Sequence, residues 1–237
     1  MSKEINVVSK SLYWAFIEKA LQFILSFFVT TILAREIGPS AFGLVALAIV
    51  FEFLFLYLME SGLSQVIIQK KEINPNEINT AFTLNVLLGA VFTLFFFLSA
   101  NLISEFFNQA QLSDIIKIMS LKIFLISFSR IHVALLEKYY KFKTLALISA
   151  PVRLFSGSLA VFLVYSGFGF WSYIYYSLVQ AALLSAALFS FSGYKVKLHL
   201  SNECLKRLLP LGIQFSATRL LNTLSEKIYY IVIGKNR

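Results

Sequence analysis

An all-α polytopic membrane bundle is the fold class this sequence predicts, and three observations predict it. Of 237 residues, 58% are hydrophobic and only 14% are charged, whereas a soluble domain carries roughly 25% charged residues. Mean hydropathy is +0.77. Apolar runs of about 20 residues, long enough to cross ~30 Å of hydrocarbon, recur along the chain. In lipid the backbone must satisfy its own hydrogen bonds, which leaves helices or closed barrels. Barrel strands alternate apolar and polar residues; these runs are continuous, so helices are expected. The net charge of +9 would point to nucleic acid in a soluble domain. Here the basic residues fall between apolar runs, and no nucleic-acid partner is expected. Cys204 is the single cysteine, so no internal disulfide can form.

The elements follow in order. A polar N-terminus with Lys3 and Lys10 precedes the first span, 12–34. Its apolar part is too long for a signal peptide, Glu18-Lys19 interrupts it, and no clear small-residue cleavage site follows. Gly38-Pro39-Ser40 is expected to turn the chain, with Ser40 capping the next helix. The second span, 42–59, carries Glu52, and Lys70-Lys71 follow it in a basic loop. Asn74-Pro75-Asn76 is a turn cluster. The third span, 81–100, is uncharged; the fourth, 115–136, contains Lys117, Lys122 and Arg130. After the basic, aromatic segment Glu137 to Lys143 comes a fifth span, 145–166, with Arg153 inside it. Gly167-Phe168-Gly169 turns into an uncharged sixth span, 171–191, and a last helix is expected from Leu208.

Lysine and arginine set the orientation. With the N-terminus cytoplasmic, the cytoplasmic segments hold Lys3, Lys10, Lys70, Lys71, Lys138, Lys141, Lys143, Lys195, Lys197, Lys206 and Arg207. The opposite loops hold Arg35 alone. Tyr13, Trp14, Tyr139, Tyr140, Trp171 and Tyr173 fit interfacial belts.

Charge inside a span costs at least ~2.5–3.5 kcal/mol and needs a partner or a wet cavity. Polar residues fall on single helical faces. Glu18, Gln22, Ser26 and Thr30 recur every fourth residue in the first span. Ser149, Arg153, Ser156, Gly157 and Ala160 form a small, polar stripe in the fifth. Ser113, Ser120, Ser127 and Arg130 cluster in the fourth, and Gln214, Thr218, Asn222 and Glu226 recur in the last helix with Arg219 beside them. Two readings stand open: small-residue packing with interhelical hydrogen bonds, or the lining of a cavity. Glu18, Glu52 and Glu226 are the expected partners of Arg153 and Arg219. Lys117, Arg130 and Glu60 read as snorkelling residues. His132 and His199 lack metal-ligand spacing, and no nucleotide, hydrolase or metalloprotease motif occurs. Neither enzyme activity, nor a cofactor, nor a metal site is expected.

A shift of 200 positions aligns the first and last helices: Lys19 with Arg219, Leu21 with Leu221, Gln22 with Asn222, and Ala34-Arg35 with Gly234-Lys235. Repeated bundles are a transporter architecture. The expected organisation is a six-helix lobe over 1–200 and the start of a second lobe over 201–237, truncated there.

The motif order extends this reading. Gly38-Pro39 with Phe42-Gly43, Glu60-Ser61-Gly62-Leu63 and Ile68-Gln69-Lys70-Lys71 come first. Leu135-Leu136, Phe142-Lys143 with Leu145-Ala146, Gly167-Phe168-Gly169-x-Trp171 and Ile233-Gly234-Lys235 follow. In that order and spacing the chain resembles the polysaccharide flippases of the multidrug/oligosaccharidyl-lipid/polysaccharide exporter superfamily, the colanic-acid type of lipopolysaccharide biosynthesis transporter in particular. The resemblance implies two lobes around a cationic cavity and movement of an undecaprenyl-pyrophosphate-linked oligosaccharide across the bacterial inner membrane for surface polysaccharide. The implied partners are the lipid-linked oligosaccharide, membrane lipid, and polysaccharide polymerase and glycosyltransferase machinery. Arg153, Arg219 and Lys19 suit the pyrophosphate; Gln22, Asn222 and Gln214 suit the sugars; Glu18 and Glu226 are the neighbouring acids. A drug or ion antiporter of the same superfamily, a membrane-embedded glycan polymerase and an inactive flippase fragment are the competing readings. The excess of intramembrane base argues against the first, and the short loops argue against the second.

Overall fold

The computed structural model describes residues 2–59 and 62–235, with side chains described for residues 10–57, 59 and 62–218. It is an all-α, multi-pass membrane bundle without a strand among the described residues. The helices are α1 (Ser2–Ile37), α2 (Pro39–Met59), α3 (Leu63–Gln69), α4 (Pro75–Phe106), α5 (Ala110–Lys138), α6 (Phe142–Tyr165), α7 (Trp171–Phe191) and α8 (Asn202–Lys235). Six of them, α1, α2 and α4–α7, are long and apolar enough to cross a membrane.

The α1–α2 connection is tighter than the sequence reading. Gly38 alone links the helices, at φ 83°. Pro39 opens α2, where its missing N–H costs nothing, and Phe42 N–H donates to the Gly38 carbonyl at 3.0 Å. Ser40 therefore lies inside the first turn instead of capping it. Glu60 and Ser61 lie outside the described residues; the chain resumes at Gly62, φ 64°, as the start of α3. This seven-residue helix replaces the expected loop. α4 begins on Asn74, whose N–H donates to Glu77 Oε2 at 3.2 Å, with Pro75 as its first residue. Lys70 pairs with Glu77, and Lys138 donates to the Lys70 carbonyl. Lys70 is thus a clamp among α3, α4 and α5. α8 starts at Asn202, earlier than expected, and carries Pro210 within it.

α5 is the central helix, packed on α2, α3, α4, α6 and α7. Lipid tails are as apolar as leucine, so close approach and polar contacts must hold membrane helices together. The α4–α5 seam shows both. A Cβ on Gly89 would lie 2.5 Å from Ser127 Cβ, and Asn85 Nδ2 donates to the Ser127 carbonyl at 2.7 Å. Leu112, Ile115, Ile116, Met119 and Ile123 of α5 pack with Leu44 and Phe96. Nearer the basic end, Ile131 and Leu135 of α5 pack with Ile67, Phe82 and Leu208. α1 packs chiefly on α6, where Gly157 admits Val29: a Cβ there would sit 2.9 Å from Val29 Cγ2. Tyr173 packs inward against Tyr176, ring centroids 5.9 Å apart.

Candidate functional site

A cavity of about 650 Å³ lies where α1, α3, α5 and α8 meet. Each helix contributes through its local spacing. Gln65 and Gln69 are four residues apart, so they share one face of α3; Ser64 stands beside them on the same wall. Arg130 and Glu137 are seven apart, two turns of α5, with Val133 and Ala134 between them. Lys19 enters from α1, and Ser216 and Thr218 from α8. Gly62 closes the α3–α8 corner. A Cβ there would stand 2.4 Å from the Gly212 carbonyl oxygen, a backbone atom that cannot yield. The wall therefore carries two cations, one acid, two amides and three hydroxyls in an otherwise apolar bundle. Such a surface can hold an anion and hydrogen-bond a polyol.

Behind Lys19 lies a second charged group. Glu18 is 5% exposed, and its carboxylate stands 3.3 Å from Lys19 Nζ and 3.6 Å from Arg153 Nη2. Arg153 Nε is buried without a hydrogen-bond partner among the described residues. Arg153 also edges an open crevice of about 340 Å³ between α1 and α6, lined by Leu25, Phe28, Val29, Ile32, Leu154 and Val161. One acid is thus shared between a lysine at the polar cavity and an arginine at the α1–α6 crevice, and the three groups together keep a net positive charge. The Glu18 side chain is buried and that of Arg153 mostly so, and removing one partner of a buried pair leaves the other uncompensated, at a cost of ~3–5 kcal/mol; Lys19 is largely exposed.

The structure brings together Glu18, Lys19 and Arg153 of the residues expected from sequence. Gln22 is half-buried on α1 and Gln214 exposed on α8; neither lines the cavity. The side chains of Arg219, Asn222 and Glu226 lie outside the described residues. Glu52 is not a partner of Arg153: it pairs with Lys122 across α2 and α5 at 2.9 Å. Arg130, expected to snorkel, lines the cavity wall. The stripe Ser149, Ser156, Gly157 and Ala160 is buried, and at Gly157 it serves close packing with α1. Sequence reasoning missed Ser64, Gln65, Gln69 and Glu137. The amide repeat at Gln65 and Gln69 was the available signal, hidden because the segment reads as a loop before the lysines.

The sequence profile of a family described as polysaccharide biosynthesis protein matches residues 32–236. The chain is 29% identical over 211 residues to the lipopolysaccharide biosynthesis protein WzxC of Escherichia coli, covering 86% of this chain and 42% of that protein. It is 23% identical over 230 residues to the succinoglycan biosynthesis transport protein ExoT of Rhizobium meliloti, covering 97% and 47%. It is 21% identical over 184 residues to the teichuronic acid biosynthesis protein TuaB of Bacillus subtilis, covering 75% and 37%. The chain spans less than half the length of the curated relatives it matches. No solved structure matches it.

Proposed function

The chain belongs to the family of polysaccharide biosynthesis proteins, and on that premise we propose that it serves in flipping an undecaprenyl-pyrophosphate-linked oligosaccharide across the bacterial inner membrane. Residues 1–200 form the first lobe of such a transporter and residues 201–237 open the second, with the N-terminus cytoplasmic. The polar cavity among α1, α3, α5 and α8 carries this reading. A pyrophosphate entering a bilayer needs cations in place of its water, and Lys19 and Arg130 offer them. Sugar hydroxyls need donors and acceptors, and Gln65, Gln69, Ser64, Ser216 and Thr218 offer both. Glu18 pairs with both Lys19 and Arg153, so one carboxylate offsets part of their charge between substrates and leaves a net positive charge for an anion. The step is relocation without covalent chemistry and requires no cofactor. The glycosyltransferases that build the lipid-linked unit and the polymerase that consumes it are the natural neighbours.

The test is genetic and chemical. Deleting the gene is expected to abolish surface polysaccharide and accumulate its lipid-linked precursor on the cytoplasmic leaflet. In a chromosomal variant, Lys19→Ala or Arg153→Ala at unchanged protein level is expected to cut polysaccharide about tenfold, the consequence of losing one charge-assisted contact. Unaltered polysaccharide and precursor in the deletion strain would remove the reading. A change confined to drug resistance would transfer it to the antiporter class.

A further inference from the structure

At the basic end of the bundle, two segments distant in sequence, α1 and the α7–α8 connection, converge on the α5–α6 turn. Ser11 of α1 donates its hydroxyl to the Tyr140 carbonyl at 3.1 Å. Lys143 Nζ stands 5.7 Å from the ring of Trp14. Lys141 Nζ stands 4.9 Å from the ring of Tyr194, in the α7–α8 connection, and Tyr139 stacks on the same ring at 5.9 Å. That connection is itself held in place: Lys197 N–H donates to Asn79 Oδ1 and His199 N–H to Thr83 Oγ1, both at 2.9 Å. The lysines therefore stand on fixed rings, not on free loops.

Among the described residues, charge is unbalanced here. Lys141, Lys143, Lys195 and Lys197 are exposed and have no ion-pair partner among the described residues. α6 has no acid in its first turn, although a helix N-terminus favours negative charge and disfavours lysine. The nearest preceding acid, Glu137, is on the cavity wall. Depth fixes what can balance these charges. The patch joins the end of one membrane-crossing helix, Lys138, to the start of the next, Phe142, with Tyr139 and Tyr140 exposed between them. Lipid phosphates lie at that depth, and lysine–aromatic pairs match an apolar boundary below and a phosphate layer above.

We infer that the α5–α6 turn, with Trp14 and Tyr194, is a docking surface for anionic phospholipid headgroups. Lys141 and Lys143 contact the lipid phosphate, and the rings hold them at the bilayer surface. The inference is independent of what the polar cavity carries.

The full chain, reconstituted in nanodiscs of phosphatidylcholine with or without phosphatidylglycerol, provides the test. Lipid retained by the protein on transfer to detergent is counted by native mass spectrometry. Wild type is expected to retain phosphatidylglycerol selectively. Lys141→Gln with Lys143→Gln is expected to lower that selectivity on the order of thirtyfold, given the usual contribution of each surface lysine. Lys71→Gln removes an exposed lysine from the α3–α4 connection that, among the described residues, stands over none of the rings, and is expected to change selectivity less than about threefold. Helical circular dichroism of every variant separates loss of fold from loss of lipid. Equal losses in the Lys71 and Lys141/Lys143 variants would overturn the inference, because bulk charge would then suffice. It is also overturned if inorganic phosphate displaces the retained lipid, which would assign the site to a soluble anion.

Discussion

Glu18 and Glu52 show what a buried carboxylate does in this chain. Both are almost fully buried, and each meets a base from another helix: Arg153 of α6 and Lys122 of α5. The sequence made Glu18 readable because it begins a four-residue polar repeat on α1. It made Glu52 misleading. A lone acid in an apolar run has no local partner, and only the docking of α2 on α5 selects Lys122. The pair supports a prediction. Glu52→Leu leaves Lys122 buried and unpaired and is expected to destabilise the protein by ~3–5 kcal/mol, whereas Glu52→Leu combined with Lys122→Met is expected to regain most of that loss. Equilibrium unfolding in mixed micelles reads both. Equal destabilisation in the single and double variants would show that the ion pair is not the cause.

Among elements, the α4–α5 seam is the most constrained. Gly89 is needed because Ser127 occupies the space a side chain would take. Gly89→Ala is expected to cost ~1–3 kcal/mol by overpacking, and adding Ser127→Gly is expected to relieve most of it; the same unfolding measurement checks the pair. The long helices were legible because their apolar runs exceed the length needed to cross a bilayer. Their ends were less so. Pro39 and Asn74 gave usable signals, but α3 is only seven residues long, too short for periodicity to separate it from a loop. That omission removed Gln65 and Gln69 from the expected site. The last helix was placed too late: α8 begins at Asn202, six residues before Leu208.

For the whole molecule, sidedness is the property most open to direct test. In a Cys204→Ser background, Phe168→Cys lies in the exposed α6–α7 turn and Lys143→Cys at the start of α6, beside the basic turn at the other end. A membrane-impermeant maleimide applied to spheroplasts is expected to label position 168 and spare position 143 until the membrane is permeabilised. The reverse pattern would invert the proposed orientation, and with it the leaflet from which the polar cavity is loaded.

The sequence by itself determined the class, the number of long apolar spans, the asymmetry of lysines about them and the family resemblance. These are properties of composition and order along the chain: in a bilayer, hydropathy decides what crosses and lysine decides which end stays behind. Tertiary structure decided which polar residues meet. It joined Glu18 to Arg153, diverted Glu52 to Lys122, turned Arg130 toward a cavity and placed Gln65 and Gln69 opposite Lys19. The physical reason is that a helical stripe fixes a face but not its neighbour. The neighbour is set by close approaches: at Gly89 between consecutive helices, and at Gly62 and Gly157 between helices far apart in sequence.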